Sequence, residues 1–273
     1  MSNSPTPTEA LALAPLRGVS GKTLVLKLGG SVGREDTLPE DVTRLQASGA
    51  RVVVVHGGGP LITAWLDRTG KTTRFVNGLR YTDEETLDVV RMVLAGLVNG
   101  EVVNRIQAAG GRAVGLSGAD DGMLRATVKD PELGLVGEIS SVNRKPIDLL
   151  LDAGYVVVIA PVAVAASAQF LNINADTVAG EVARALGADQ LIFLTDVPGI
   201  SDGDRVLREL TPNQADALMT SGVVGGGMVP KVQACLRALA KGRMTQIVDG
   251  REAHAVLNAV QNEVSAGTRF VLA

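Results

Sequence analysis

Arg51-Val52-Val53-Val54-Val55-His56-Gly57-Gly58-Gly59-Pro60 joins an unbroken β-branched run to three glycines and a proline. A short, wholly apolar run of this kind is a strand covered on both faces, as in a parallel sheet. Pro60 suits the first turn of a helix. The glycines between them admit two readings. Their successive N–H groups can form an anion nest at the positive end of that helix, or they can simply serve a tight turn that needs positive φ. His56, at the strand end, is read as a local hydrogen-bonding group rather than a general base.

Outward from this unit the pattern repeats. Thr23–Leu28, 112–116, 155–160 and Gln190–Thr195 are further apolar strands. Helical periodicity covers 36–48, 60–69, a long segment from Thr82-Asp83, 144–153, 174–187, 227–241 and 252–261. Thr82 with Glu85 three residues on predicts a capping box. Gly/Asp-rich stretches near 118–140, 162–172 and 200–209 predict short hairpins. The alternation predicts an α/β fold, a three-layer αβα sandwich around a central, mainly parallel open sheet. Residues 1–20 are expected to form an arm, and a seam at Leu186-Gly187-Ala188-Asp189 divides 21–188 from 189–273. The helix over 83–98 is apolar along two stripes, Leu87, Val90, Leu94 and Leu97, and Val89, Met92, Val93 and Gly96. It is therefore either deeply buried or part of a homodimer interface.

The chain has 273 residues, 46% of them hydrophobic, a formal charge of −3 and only one cysteine. A nucleic-acid surface is not expected from that charge. Cys235 is read as a small core residue, and one cysteine with two histidines argues against a thiol or His-rich metal site. The longest apolar run, 156–166, is broken by Pro161 and too short to span a bilayer. The amino end lacks a basic, secretory-type start, so a cytoplasmic protein is expected.

Four separated islands carry the chemistry. In Thr23-Leu24-Val25-Leu26-Lys27-Leu28-Gly29-Gly30 a lysine ends a buried strand, where its charge needs an anion or water. In Gly225-Gly226-Gly227-Met228-Val229-Pro230-Lys231 a lysine sits on the first turn of a helix, which suits a phosphate. Asp176, in Asn172-Ile173-Asn174-Ala175-Asp176, supplies one carboxylate able to fix both ammonium groups; Asn172 and Asn174 offer amides to a ligand or cap the helix. Arg80 is either a bidentate carboxylate clamp or a solvated arginine. Thr195 and Asp196, before Val197-Pro198-Gly199, offer a hydroxyl and a carboxylate at a strand end. Two lysines from opposite ends of the chain point to a phosphoryl group held from both sides. Two common nucleotide motifs are excluded by spacing. Gly21-Lys22-Thr23 has Leu16 where a P-loop needs glycine, and after Gly57 and Gly59 a dinucleotide fingerprint would need glycine at Ile62.

In this order and spacing the islands resemble the amino-acid kinase superfamily, and within it the N-acetyl-L-glutamate kinase family, from about Gly21 to the carboxyl end. Phe75-Val76-Asn77-Gly78-Leu79-Arg80-Tyr81-Thr82-Asp83 is the most discriminating stretch, with Gly115-Leu116-Ser117-Gly118, 172–176 and 194–199. The resemblance implies the amino-acid kinase fold with two lobes and ATP-dependent phosphorylation of the γ-carboxylate of N-acetyl-L-glutamate, an early step of arginine biosynthesis. Mg²⁺ would be held mainly by the ATP phosphates. By the same resemblance Lys27 and Lys231 stabilise the moving phosphoryl group and Asp176 orients them. Gly57 and Gly58 receive the γ-carboxylate, Arg80 the α-carboxylate and Asn172 the acetamido side. Gly29 and Gly30 approach the phosphates. Thr195, Asp196, Val197 and Gly199, with Gly225, Gly227 and Met228, line the adenosine and ribose.

Members inhibited by arginine carry a longer amphipathic amino-terminal helix with an aromatic residue. Here 8–19 is short and non-aromatic, and 265–270 lacks the acidic, glycine-flanked approach to Gly267-Thr268. An arginine-insensitive homodimer is expected. The competing readings are a kinase of carrier-bound aminoadipate, disfavoured by the lack of a basic docking cluster, and a non-catalytic sensor, which would be free to lose Lys27, Asp176 or Lys231.

Overall fold

The computed structural model describes residues 16–29, 37–76, 78–239, 244–261 and 267–272. Gly30, Asn77, most of the expected arm and 262–266 lie outside the described residues. From the amino end come β1 (Thr23–Leu28), α1 (Leu38–Ala47), β2 (Arg51–His56), α2 (Gly59–Arg68), β3 (Phe75–Val76), β4 (Leu79–Arg80) and α3 (Glu84–Arg91). α3 continues through wider π turns over Met92–Val98 into α4 (Asn99–Ala108). Then follow β5 (Ala113–Ser117), β6 (Leu124–Val128), β7 (Gly137–Val142), α5 (Lys145–Asp152), β8 (Val156–Ala160), β9 (Val162–Val164), β10 (Phe170–Asn172) and α6 (Ala175–Leu186). The carboxyl part holds β11 (Gln190–Thr195), β12 (Ser201–Asp202), β13 (Arg205–Val206), β14 (Glu209–Leu210), α7 (Pro212–Thr220), α8 (Met228–Leu239), β15 (Met244–Asp249), α9 (Ala255–Val260) and β16 (Thr268–Phe270).

Eight strands form the central sheet in the order β14-β16-β15-β11-β1-β2-β8-β5. From β15 to β5 all neighbours are parallel; β16 runs antiparallel to β15. The valine run in β2 shows why both faces are covered. Val53 and Val55 point into a core with α5, α6 and α8, while Val52 and Val54 point into another with α1, α4 and α9. Alternate side chains of a strand must find two separate apolar layers, and helices on each side supply them. Cys235 lies in the first core, where burial pushes its thiol up, away from ionisation.

The predicted hairpins are present. β6 pairs with β7 and β9 with β10, together forming a four-stranded sheet, and β12 pairs with β13. The predicted capping box from Thr82 to Glu85 does not form; a simple N-cap one residue on takes its place. Asp83 is the N-cap of α3 and accepts from the Thr86 N–H at 2.9 Å. The Thr82 hydroxyl instead donates to the Arg80 carbonyl and accepts from Asn172 Nδ2. Of the two apolar stripes after Thr82, Leu87, Val89, Val90, Val93 and Leu94 are buried, while Met92 and Leu97 remain exposed.

Candidate active site

Parallel pairing brings the ends of β1, β2 and β11 to one edge: Lys27 is level with Val55 and Phe193, and Leu28 with His56 and Leu194. Loops and helix starts collect at that carboxyl edge, where open α/β sheets bind ligands. α6 begins there, its N-cap Asn174 accepting from the Asp176 and Thr177 N–H groups. Asn174 thus caps the helix through Oδ1 while also lining a neighbouring cavity. α8 begins beside it, because a Cβ on Gly180 of α6 would already lie 3.0 Å from the Ala234 Cβ of α8. This close approach lets Lys231, on the first turn of α8, reach Asp176 on the first turn of α6.

The structure brings Lys27, Asp176 and Lys231 together. Lys27 Nζ lies 2.8 Å from Asp176 Oδ1, and Lys231 Nζ donates to Asp176 Oδ2 at 3.0 Å and to the Gly227 carbonyl at 3.2 Å. Lys27 is 6% exposed and Asp176 4%, so neither charge stands without a counter-charge. Burial pushes the Lys27 ammonium below its ordinary range; Asp176 opposes that shift and Lys231 adds to it.

Next to this cluster is a cavity of about 440 Å³, lined among others by Gly57, Gly58, Gly59, Arg80, Asn172 and Ala175. The Gly57 N–H donates to the Leu28 carbonyl at 3.2 Å. The glycine donors left at the cavity are therefore Gly58 and Gly59, at the start of α2, where helix N–H groups have no intrahelical partner. Arg80 is buried, and its guanidinium donates to Thr73 Oγ1 (3.1 Å), Thr63 Oγ1 (2.8 Å) and the Gly59 carbonyl (3.0 Å). Five N–H donors less three leaves two for a ligand. Arg80 has no carboxylate partner among the described residues, and burial lowers its pKa, with Asp67 opposing. Asn172 Nδ2 donates to the Thr82 hydroxyl at 3.0 Å, which fixes its amide at the cavity wall.

The other predicted residues occupy the same edge with their groups partly engaged. The Gly29 N–H donates to the Leu194 carbonyl, continuing the sheet, and Gly30 lies outside the described residues. The Thr195 hydroxyl is held by the carbonyls of Val197 and Val248, and it accepts from the Val197 N–H. Asp196 is exposed, and its charge reaches Lys27. Gly199 has φ +138, and a Cβ there would meet Thr268 Oγ1 at 2.7 Å. Gly225 and Gly227 flank Gly226 (φ +55) just before Met228 opens α8. Thr63, Thr73 and Asn99 carry no motif signature, since each acts through a partner that only the fold brings within reach. Among the described residues no three His, Cys, Asp or Glu side chains gather as a metal site.

A doubly tethered carboxylate between two lysines, at the strand ends of a mainly parallel sheet, is an arrangement for handling a phosphoryl group. The chain belongs to the amino acid kinase family, whose model matches residues 22–249. It is 47% identical over 270 residues to an acetylglutamate kinase of Synechococcus sp., covering 95% of this chain and 90% of that one. Within the family it therefore stands with the acetylglutamate kinases. Among solved structures it is similar to smu.665 from Streptococcus mutans (TM-score 0.80, 26% identity, 92% of this chain and 99% of that one). Carbamate kinase from Giardia lamblia shares the fold (TM-score 0.67, 19% identity, 93% of this chain and 100% of that one).

Proposed function

We propose that this chain transfers the γ-phosphoryl group of ATP to the γ-carboxylate of N-acetyl-L-glutamate, giving N-acetyl-L-glutamyl 5-phosphate and ADP in arginine biosynthesis. The observation that carries the reading is the Lys27–Asp176–Lys231 cluster beside a cavity that holds an arginine and helix-start N–H groups. The identity to acetylglutamate kinases supports the acceptor.

The acceptor carboxylate is ionised at neutral pH, since its ordinary pKa is about 4. One of its oxygens forms the new P–O bond while the bond to the ADP oxygen breaks, and ADP departs with that electron pair. No proton has to be removed, so the site needs no general base. Catalysis then rests on alignment and charge stabilisation. Lys27 and Lys231 hold the phosphoryl oxygens, and Asp176 keeps both ammonium groups in place. Arg80 uses its remaining donors on the α-carboxylate and Asn172 faces the acetamido group; Gly58 meets the γ-carboxylate with Gly59 in place of the expected Gly57, whose N–H is spent on the Leu28 carbonyl. The turn 195–199 and the glycines before α8 receive the nucleotide. When bound with ATP, Mg²⁺ would supply charge neutralisation at the phosphates, which with water rather than a protein cage would hold it.

In this reading 21–188 forms the acceptor lobe and 189–273 the nucleotide lobe of a cytoplasmic enzyme. Exposed Met92 and Leu97 suit a homodimer contact along 83–98. Of the two segments that bear on arginine insensitivity, 8–15 and 265–266 lie outside the described residues.

A coupled ADP-release assay over a panel of carboxylate acceptors tests the function. N-acetyl-L-glutamate is expected to be turned over, and glutamate, aspartate and carbamate poorly. Lys27→Ala and Lys231→Ala are each expected to lower kcat by roughly 10²-fold or more, as for loss of a transition-state donor. Near-normal turnover in either variant would remove that lysine from the mechanism.

A further inference from the structure

Gly57 and Gly58 share a peptide plane at the wall of the acceptor cavity. Its carbonyl, on Gly57, lies 2.8 Å from His56 Nδ1. A carbonyl carries no proton, so Nδ1 must donate. The neutral ring then has a bare Nε2, and Asn99 Nδ2 lies 3.2 Å from it as donor. Asn99 is anchored in turn through the Val158 carbonyl at 3.1 Å. His56 is 1% exposed and Asn99 5%. Burial pushes the imidazole down to about 4, so a single neutral tautomer persists at physiological pH.

The surroundings are shaped for this chain of contacts. A Cβ on Gly115 would overlap Asn99 Oδ1, and one on Gly58 would lie 2.6 Å from Leu94 Cδ2. In a trans peptide the C=O and the N–H point in opposite directions. Holding the Gly57 carbonyl against His56 therefore turns the Gly58 N–H to the far side. That N–H has no protein acceptor among the described residues, and Gly58 lines the cavity. A diglycine peptide is unusually free to rotate, so its orientation needs an external hold. The mechanism above uses neither His56 nor Asn99.

We propose that His56, its tautomer held between the Gly57 carbonyl and Asn99, is a positioning residue that aims the Gly58 N–H at the carboxylate oxygen receiving the phosphoryl group. This rests on the acceptor reading of the cavity. Without the hold, the peptide rotates and the donor is absent from part of the population.

Three variants and one spectrum test it. His56→Leu removes the donor and is expected to lower kcat/KM for N-acetyl-L-glutamate about 10- to 100-fold, at or below the cost of losing one oxyanion donor, with KM for ATP held within about twofold. His56→Asn places an amide donor near the Nδ1 position and restores most of the loss. Asn99→Ala leaves the imidazole but frees its tautomer, so the same ratio falls. Nitrogen-15 shifts of the ring are expected to report Nδ1–H in wild type and a mixture in Asn99→Ala. The proposal is overturned by wild-type acceptor kinetics in His56→Leu or Asn99→Ala, by a folded His56→Asn as impaired as His56→Leu, or by an Nε2–H ring in wild type. If His56→Leu does not fold, Asn99→Ala and the spectrum decide. A wild-type protein that phosphorylates no carboxylate overturns the acceptor reading and this proposal together; an active wild type with indifferent variants overturns this proposal alone.

Discussion

Asp176→Asn keeps the shape of the side chain and removes the negative charge that bridges two ammonium groups. Both carboxylate oxygens are in ion pairs, at 2.8 Å to Lys27 and 3.0 Å to Lys231, and the Lys27 and Asp176 side chains are almost fully buried. Removing one partner of a buried pair costs about 3–5 kcal/mol, because the other charge is left uncompensated. At about 2–4 °C per kcal/mol for a chain of this size, the melting temperature falls by roughly 6–20 °C. A second consequence concerns pH. Burial holds the Lys27 ammonium low, Asp176 is the main influence raising it, and Lys231 lowers it further. With Asn at 176 the Lys27 pKa drops again, and a lysine loses its charge as pH rises through its pKa. Turnover is therefore expected to decline on the alkaline side at a lower pH than in wild type. Thermal melts followed by circular dichroism, with kcat measured from pH 6 to 10, check both. An unchanged melting temperature together with an unshifted alkaline limb would refute the coupling of the three side chains.

Arg80→Lys keeps the charge but loses the planar fork. KM for N-acetyl-L-glutamate is expected to rise about 10- to 100-fold, as for one or two charge-assisted hydrogen bonds, with KM for ATP little changed; steady-state kinetics on both substrates decide. His56 has a folded pKa of about 4 against an ordinary 6.5. The unfolded chain therefore binds this proton first as pH falls. The contribution is fully present above about pH 6.5 and is lost towards pH 4, amounting to about 3 kcal/mol. Urea unfolding from pH 4 to 7 is expected to show this slope in wild type and a flatter one in His56→Asn; equal slopes would refute it.

The parallel core was legible because its strands are continuous apolar runs, as in 52–55 and 191–194. β15 was not, although it lies inside the sheet. Thr245 and Gln246 are buried polar residues in that strand, and Gln246 is matched by the Ala259 carbonyl. Such a partner across the fold is invisible along the chain. α7 buries only Ala215, so its apolar stripe is weak, though Thr211 with Gln214 does form a capping box. At the site, charge and glycine placement singled out Lys27, Asp176 and Lys231, because buried charges are expensive enough to imply partners. Thr63, Thr73 and Asn99 escaped notice because an isolated threonine or asparagine has many uses, and its contacts here exist only after folding.

The register of the central sheet limits how the molecule can move. In the proposed division β1 falls on the acceptor side and β11 on the nucleotide side, yet they are neighbours matched residue for residue from Leu24 opposite Gln190 to Leu28 opposite Leu194. Prising the halves apart along that line would break a ladder of backbone hydrogen bonds, each worth about 0.5–1.5 kcal/mol net, and open both apolar layers to water. A closing motion that keeps this ladder intact is limited to a change in twist across an unbroken floor. The small antiparallel pieces that carry acceptor-cavity residues, the paired β3 and β4 with Arg80 and the four-stranded sheet with Asn172 on its edge strand, lie outside that ladder and are not bound by its limit.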